Sequence, residues 1–392
     1  MLKVRYLNFE LENPCILASA SPTSSVEKIE KAFQVGWAGA VIKTVAPTHI
    51  KIEDISNRFH VLKEKNRVIG FHNLEQLSTK TIEYWQEGIA YLKSKYPTKM
   101  LIISVMADVE KSAWQKLIQA FNESLVDAFE LNVSCPHMRR DEGMGASIGQ
   151  NPDVSSQIVS WVKEVSKKPI IVKLTPNITS IDSVVQEGLK SGADSFSAIN
   201  TVLGLIGIDV DTLSPKPSIN GMSSFGGYSG PAIRPIGLRI VSELSNQTHK
   251  EILGIGGISS WENVIEYMAV GASAVQICTE VMMSGLDVIE KINFGLKKYM
   301  YEKKINSLMD IVGVANFKIC SHEQLKRNWE MKCFVDNEKC NTCKKCIVAC
   351  SENSQNALSF KNDEIIVDKT ICDGCGLCTH ICVGNALSLK LM

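Results

Sequence analysis

Glu130-Leu131-Asn132-Val133-Ser134-Cys135-Pro136-His137 decides how the chain is read. From Ala128 to Val133 the residues are apolar apart from Glu130 and Asn132, so the stretch reads as a buried strand. The strand stops at Cys135, because Pro136 cannot continue a hydrogen-bonded ladder. A Gly-rich loop follows from Gly143 to Gly149, and a helix is expected from about Pro152. A cysteine at the C-terminal lip of a barrel strand stands where reacting groups are placed. Most free cysteines are small buried hydrophobes. Cys135, however, is flanked by Asn132, Ser134 and His137, and that setting points to function.

The same unit recurs on both sides. Short apolar runs are expected to form strands at Cys15–Ser19, Ala40–Thr44, Leu101–Val105, Phe129–Ser134, Ile170–Leu174, Ser195–Asn200, Ile252–Gly256 and Ala274–Cys278. Amphipathic segments near 26–35, 79–95, 110–122, 153–166, 181–190, 232–245, 260–269 and 286–300 predict helices between them. Strands that alternate with helices require crossover connections and a parallel sheet. Eight such units predict an α/β fold, a (β/α)8 TIM barrel over residues 1–300. Two connections, Val45 to Ser78 and Thr201 to Gly230, are unusually long. Both follow strands, so both are expected to wall and cover a pocket at the C-terminal end.

Composition narrows the function. Lys plus Arg number 42 and Asp plus Glu number 42, which gives no support to nucleic-acid or anionic-membrane binding. No apolar run reaches the ~20 residues of a membrane span, and Met1-Leu2-Lys3-Val4-Arg5 lacks a signal-peptide core. A cytoplasmic location is expected. Eight of the 13 cysteines crowd between Cys340 and Cys382, and in a reducing compartment they read as metal ligands.

Residues 301–332 are expected to be a helical linker, and 333–392 a separate α+β module of ferredoxin type that repeats itself. Phe334-Val335-Asp336 and Ile366-Val367-Asp368 precede its two cysteine runs, and Asn356-Ala357-Leu358-Ser359 and Asn385-Ala386-Leu387-Ser388 follow them. The runs are Cys340-x2-Cys343-x2-Cys346-x3-Cys350 and Cys372-x2-Cys375-x2-Cys378-x3-Cys382, 32 residues apart. This is bacterial ferredoxin spacing, whose fourth cysteine serves the other cluster. Two [4Fe–4S] clusters are expected, one on Cys340, Cys343, Cys346 and Cys382, the other on Cys372, Cys375, Cys378 and Cys350. Zinc sites use paired C-x2-C instead. Ser351 and Val383 replace the usual proline after the fourth cysteine. Cys15, Cys320 and Cys333 are expected to be structural.

Clusters carry single electrons, and a flavin converts them to two-electron chemistry. Strand 7 ends in Ile255-Gly256-Gly257, whose backbone N–H groups can cradle a phosphate, and strand 8 ends in Cys278-Thr279. Gly227 to Gly230 could add a further backbone contact. Lys43, Lys173, Asn132 and Asn200 end four strands among apolar neighbours. A lysine so placed needs a charged partner, either a reduced flavin or a carboxylate such as Glu130.

These residues carry a resemblance. Leu17-Ala18-Ser19-Ala20, Lys43-Thr44, Asn73-Leu74, Leu131 to His137, Lys173-Leu174-Thr175-Pro176-Asn177, Asn200-Thr201, Ser229-Gly230 and Gly256-Gly257 resemble the dihydroorotate dehydrogenase superfamily. With the tandem cysteine runs, the chain looks most like the FMN and iron–sulfur part of the dihydropyrimidine dehydrogenases. That resemblance implies FMN contacts from Ser19, Lys43, Thr44, Lys173, Gly230, Ile255, Gly256, Gly257, Cys278 and Thr279. It implies pyrimidine contacts from Asn73, Asn132, Val133, Ser134, Asn200 and Thr201, with Cys135 as the acid. The implied reaction is reduction of the 5,6 double bond of uracil or thymine. Met138-Arg139-Arg140-Asp141 departs from the Gly-rich stretch usual after that cysteine, and the loop after strand 6 is shorter.

Three rival readings stand beside this one. A dihydroorotate oxidase needs a basic group for its substrate's carboxylate, which Arg139 or Arg140 could supply. A thiol hydrolase would pair Cys135 with His137, but two residues apart in a Pro-containing loop is poor geometry, and it has no use for clusters. A pure electron carrier needs no barrel. Gly143-Met144-Gly145 and Gly254-Ile255-Gly256 do not complete a dinucleotide fingerprint. The resemblance therefore implies that a separate FAD/NAD(H)-binding flavoprotein subunit delivers the electrons, in a hetero-oligomer built on a barrel homodimer.

Overall fold

The computed structural model describes residues 2–134, 145–353 and 356–392. It divides into two compact units, Met1–Ile319 and Cys320–Met392. The boundary falls inside the segment expected as a linker.

The first unit is a closed barrel of eight parallel strands. These are β1 (Cys15–Leu17), β2 (Gly39–Val45), β3 (Met100–Val105), β4 (Ala128–Leu131), β5 (Ile170–Leu174), β6 (Ser195–Ala198), β7 (Ile252–Ile255) and β8 (Ala274–Ile277). Each pairs with the next in chain order, and β8 pairs with β1. All seven residues of β2 are buried, as a strand enclosed on both faces requires. The outer ring is α1 (Val26–Gln34), α2 (Ile82–Lys95), α3 (Lys111–Asn122), α4 (Pro152–Lys163), α5 (Asp182–Lys190), α6 (Arg234–Gln247), α7 (Trp261–Ala269) and α8 (Val288–Lys303). Their starts are written in the chain. Ser25 and Thr81 accept from the Lys28 and Tyr84 backbone N–H groups, and Asn151 caps α4 ahead of Pro152. In α3, Trp114, Leu117, Ile118 and Phe121 form the buried stripe against the strands. No helix among the described residues is long and apolar enough to cross a membrane.

An N-terminal hairpin, Val4–Tyr6 with Phe9–Leu11, turns at Leu7 and Asn8, both at positive φ. Tyr6 is wholly buried, and its hydroxyl lies 2.6 Å from Ser195 Oγ at the start of β6. Ser195 Oγ in turn donates to the Glu251 carbonyl at 2.6 Å, and Glu251 accepts from Leu7 N at 2.7 Å. The hairpin is thereby tied to the barrel's N-terminal end.

The two long connections are not separate loops. Phe59–Glu64 and Arg67–Asn73 form a hairpin whose turn, Lys65-Asn66, also has two positive φ angles. Asn73, His72 and Phe71 pair with Gly227, Tyr228 and Ser229 of strand Gly226–Ser229, which pairs with Val202–Gly204. The result is one four-stranded antiparallel sheet built from both connections.

In the second unit, Met331–Val335 pairs with Leu387–Leu391, and Leu358–Lys361 with Glu364–Val367. The first strand of one repeat thus joins the last strand of the other, as a pseudo-twofold pair does. Helices Lys345–Asn353 and Leu377–Ile381 complete the two halves.

Removing the Tyr6 hydroxyl (Tyr6→Phe) should cost the barrel about 1 kcal/mol, and Tyr6→Ala about 3–5 kcal/mol. Urea unfolding followed by tryptophan fluorescence reads both. Equal midpoints for the two variants would show that the hairpin's ring does not hold this end shut.

Candidate active site

The strands end around one cavity of about 1130 Å³, its mouth included. The lid sheet contributes Phe59, Phe71, Asn73 and Ser229 to its wall. Of the residues expected to bind FMN or pyrimidine, Ser19, Lys43, Thr44, Asn73, Asn132, Lys173, Asn200, Thr201, Gly230, Ile255, Gly256, Gly257, Cys278 and Thr279 all line it. Val133 and Ser134 do not. Both are buried beyond the end of β4, which stops at Leu131 and not at the expected Ser134. Ser134 Oγ sits 2.9 Å from Asn200 Nδ2 and donates to Asn132 Oδ1 at 3.3 Å, so it backs the amides instead of facing the cavity. Cys135, His137 and the segment from Met138 to Met144 lie outside the described residues.

A carboxylate lies beneath the floor. Glu130 in β4 has no exposure and accepts from Lys173 Nζ at 3.2 Å, Ser197 Oγ at 2.9 Å and Gln276 Nε2 at 2.7 Å. Only the NH2 side of Gln276 can serve a carboxylate. Its Oε1 therefore points elsewhere, and it is buried with no partner among the described residues, on a residue that lines the cavity. Lys43 Nζ meets Glu75 Oε1 at 2.8 Å, and Ser21 Oγ donates to both Glu75 oxygens at 2.7 Å. Both lysines thus have carboxylate partners, Glu130 being one of them.

Glu75 and Gln276 were not anticipated. Glu75 continues the alternate positions Phe71 and Asn73 on the cavity side, a period-two signal present in the sequence. Gln276 lies inside an apolar strand and gave no such signal.

Just past the end of β4 the amides interlock. Asn132 Nδ2 donates to Thr44 Oγ1 at 3.0 Å, and Asn200 Nδ2 reaches Asn132 Oδ1 at 3.2 Å. Asn73 Nδ2 donates to the Gly227 carbonyl at 3.1 Å. At the far side Gly256 (φ +126°), Gly257 (φ +67°) and Gly230 (φ +92°) converge. A Cβ on Gly257 would stand 2.8 Å from the Gly230 carbonyl oxygen and 3.0 Å from Arg234 N. Tyr267 holds the turn by donating to the Ile255 and Gly256 carbonyls at 3.1 and 2.7 Å. The turn leads into α7, an arrangement that suits an anion. Burial, reinforced by Glu75 and only partly offset by Lys173 and Lys43, pushes the Cys278 thiol up to about 12. It stays protonated and is no nucleophile.

A family model described as dihydroorotate dehydrogenase matches residues 1–300. The chain belongs to the dihydroorotate dehydrogenase family. It is therefore an oxidoreductase by family, and the cavity at the strand ends is its candidate active site. It is similar to the NAD-dependent dihydropyrimidine dehydrogenase subunit PreA of Escherichia coli K12, 34% identical over 99% of this chain and 95% of that protein. The chloroplastic dihydropyrimidine dehydrogenase (NADP(+)) of Arabidopsis thaliana is 32% identical over 83% of this chain and 79% of its own. The dihydroorotate dehydrogenase B (NAD(+)) catalytic subunit of Pyrococcus furiosus is 35% identical, with 98% of its length aligned to 80% of this chain.

In the cysteine-rich unit, Cys340, Cys343, Cys346 and Cys382 line one small cavity, and Cys350, Cys372, Cys375 and Cys378 line another. The fourth cysteine of each run stands with the other run. Backbone Ala386 N donates to Cys382 Sγ at 3.3 Å, and Asn353 Nδ2 to Cys375 Sγ at 3.4 Å. Among the described residues no three His, Cys, Asp or Glu side chains converge as a single-ion site requires. Sulfurs ringed around a cavity suit a multi-atom cluster better than one tetrahedral zinc.

Glu130→Leu leaves Lys173 charged, buried and unpaired, and should cost about 3–5 kcal/mol. Adding Lys173→Met to it should recover part of that loss. A double variant no more stable than Glu130→Leu alone, in thermal unfolding, would mean that the pair is not what the single substitution breaks.

Proposed function

We propose that this chain reduces the 5,6 double bond of uracil or thymine to the 5,6-dihydropyrimidine, as the catalytic subunit of an NAD-dependent dihydropyrimidine dehydrogenase. The observation that carries this reading is the charge balance of the cavity. Its two described lysines, Lys43 and Lys173, are each neutralised by a carboxylate, Glu75 or Glu130. The orotate carboxylate would find no unpaired cation among the described lining residues. A neutral pyrimidinedione needs none. Its alternating C=O and N–H groups match amides, which both donate and accept. Asn73, Asn132, Asn200 and Thr201 are the residues assigned to that edge, with Glu75 as a further acceptor.

FMN is assigned to the same cavity. The turn at Gly256 and Gly257 fits its phosphate, because two successive residues without a Cβ leave their backbone N–H groups open, and a Cβ at Gly257 would meet the Gly230 carbonyl oxygen. The orphaned Gln276 Oε1 and the N–H groups of Lys173 offer an acceptor and donors to its ring. Ser19, Lys43, Thr44, Ile255, Cys278 and Thr279 complete the assignment. When bound and reduced, FMN supplies a hydride. Cys135 is assigned the proton for the opposite face. A free thiol, with a pKa of about 8.5, is largely protonated at neutral pH. The amides stabilise charge developing on the ring carbonyls without a fixed positive charge.

The cysteine-rich unit is assigned two [4Fe–4S] clusters, on Cys340, Cys343, Cys346 and Cys382, and on Cys372, Cys375, Cys378 and Cys350. The electrons come from a partner, an FAD/NAD(H)-binding flavoprotein subunit. The relative in Escherichia coli is itself named as a subunit, which supports this.

The isolated chain should therefore reduce uracil with dithionite or a reduced viologen, and not with NADH alone. Dihydroorotate turned over faster than uracil or dihydrouracil would give the site to the other substrate. Fast flavin reduction by NADH in the pure chain would remove the need for the partner. Cys135→Ala should keep flavin and iron but lose about 10²–10⁴ in turnover. Near-wild-type rates at neutral pH would exclude Cys135 as the acid.

A further inference from the structure

Positions 333 and 365 are equivalent in the two halves of the cysteine-rich unit, which repeat every 32 residues. They lie on strands Met331–Val335 and Glu364–Val367, and both are buried, at 1% and 3% exposure. Each lines the cavity of one cysteine set. Cys333 lines the one with Cys350, Cys372, Cys375 and Cys378, and Ile365 the one with Cys340, Cys343, Cys346 and Cys382. Among the buried side chains that line the two cavities, the pseudo-twofold pair differs here, where a thiol faces one set and a hydrocarbon the other.

Cys333 Sγ lies 3.6 Å from Cys378 Sγ, within reach of a sulfur hydrogen bond. Its other acceptor, the Phe334 carbonyl, is 3.9 Å away. A cysteine that ligates iron does so as a thiolate and has no proton to give. In the loaded protein the S–H between these two sulfurs therefore belongs to Cys333. Hydrogen bonds to ligand sulfurs are among the factors that set a cluster's potential. Such a donor favours the reduced cluster, whose sulfurs carry more negative charge.

Resting on the cluster assignment made above, we propose that Cys333 is a tuning residue. By donating to Cys378 it raises the reduction potential of the cluster on Cys350, Cys372, Cys375 and Cys378 above the value an aliphatic side chain would leave. The internal repeat thereby yields two unlike electron carriers. Cys333 is not a ligand, because its set already holds four cysteines.

The test uses the full chain, purified anaerobically and titrated potentiometrically with low-temperature EPR. Cys333→Val should lower the midpoint of one cluster signal and leave the other within fitting error, with iron content unchanged. Cys333→Ser, which keeps a donor, should move that midpoint back toward wild type. Ile365→Cys places a donor against the other set and should raise the other signal, so it tests the idea even if Cys333→Val fails to fold. Unmoved midpoints in both Cys333→Val and Ile365→Cys, in chains carrying both signals, would overturn the proposal. So would loss of iron from folded Cys333→Val, which would make Cys333 a ligand. A wild-type chain with no cluster signals would overturn the cluster assignment itself, and the proposal with it.

Discussion

The barrel closes around one carboxylate. Glu130 sits where four strands meet, and its partners come from β5, β6 and β8. A charge with no exposure is tolerable only if it is paired and hydrogen-bonded. That requirement settles what three other strands must carry at this level: a lysine, a hydroxyl and an amide. It also settles how they point. Lys173 is drawn to the centre with N–H groups left over, and Gln276 must turn its NH2 inward, which leaves an oxygen for the cavity. The polarity of the floor is thus set by a residue that lines no part of it.

What was legible follows the range of the forces involved. All eight strands stand within one or two residues of their expected bounds at most ends. Each is a short run of mostly apolar or small residues, and burial on both faces needs no partner to be recognised. Helix starts were legible for a similar reason, since Ser25, Thr81 and Asn151 act on their own first turns. The cavity was legible because parallel strands bring all their C-terminal ends to one side. The lid sheet was not. It pairs Asn73 with Gly227, a non-local contact between two segments that each look like loops. The Lys65-Asn66 turn was a local signal, but the strands flanking it, Phe59–Glu64 and Arg67–Asn73, mix charged residues and histidine with apolar ones and gave little support. The lysines show the same divide. Their need for a counter-charge could be read from burial, and Glu130 could be named, but Glu75 became a partner only once the lid chain folded back.

Neutralising both lysines has a consequence for the anion end of the cavity. With the cations occupied, a phosphate must be held chiefly by backbone N–H groups, and these reach it only where no side chain intervenes. The positive φ of Gly256 and Gly257, and the contact a Cβ at Gly257 would make with Gly230, express that constraint. Fixed charge is kept to the floor and the lid-side wall, and under the proposed function the glycine-turn dipoles would serve the phosphate and the amides the ring edge. In the function proposed above, this division would let one cavity take a dianionic cofactor and a neutral ring.

The cysteine-rich unit answers a different constraint. Among its described residues the buried core comprises Cys333, Cys346, Leu358, Ile365, Cys378 and Leu387, half of them cysteines. So small a core cannot by itself offset the chain entropy of Cys320–Met392. Small domains of this kind draw folding energy from what their sulfurs bind. The crossed placement of Cys350 and Cys382 makes that energy mutual, because each cavity takes its fourth cysteine from the other repeat. Neither half can then be completed alone. The exchanged strands, Met331–Val335 against Leu387–Leu391 and Leu358–Lys361 against Glu364–Val367, impose the same dependence through the backbone. An asymmetry placed at one buried position, as at Cys333 and Ile365, can therefore distinguish the two sites chemically while the fold that builds them stays symmetric.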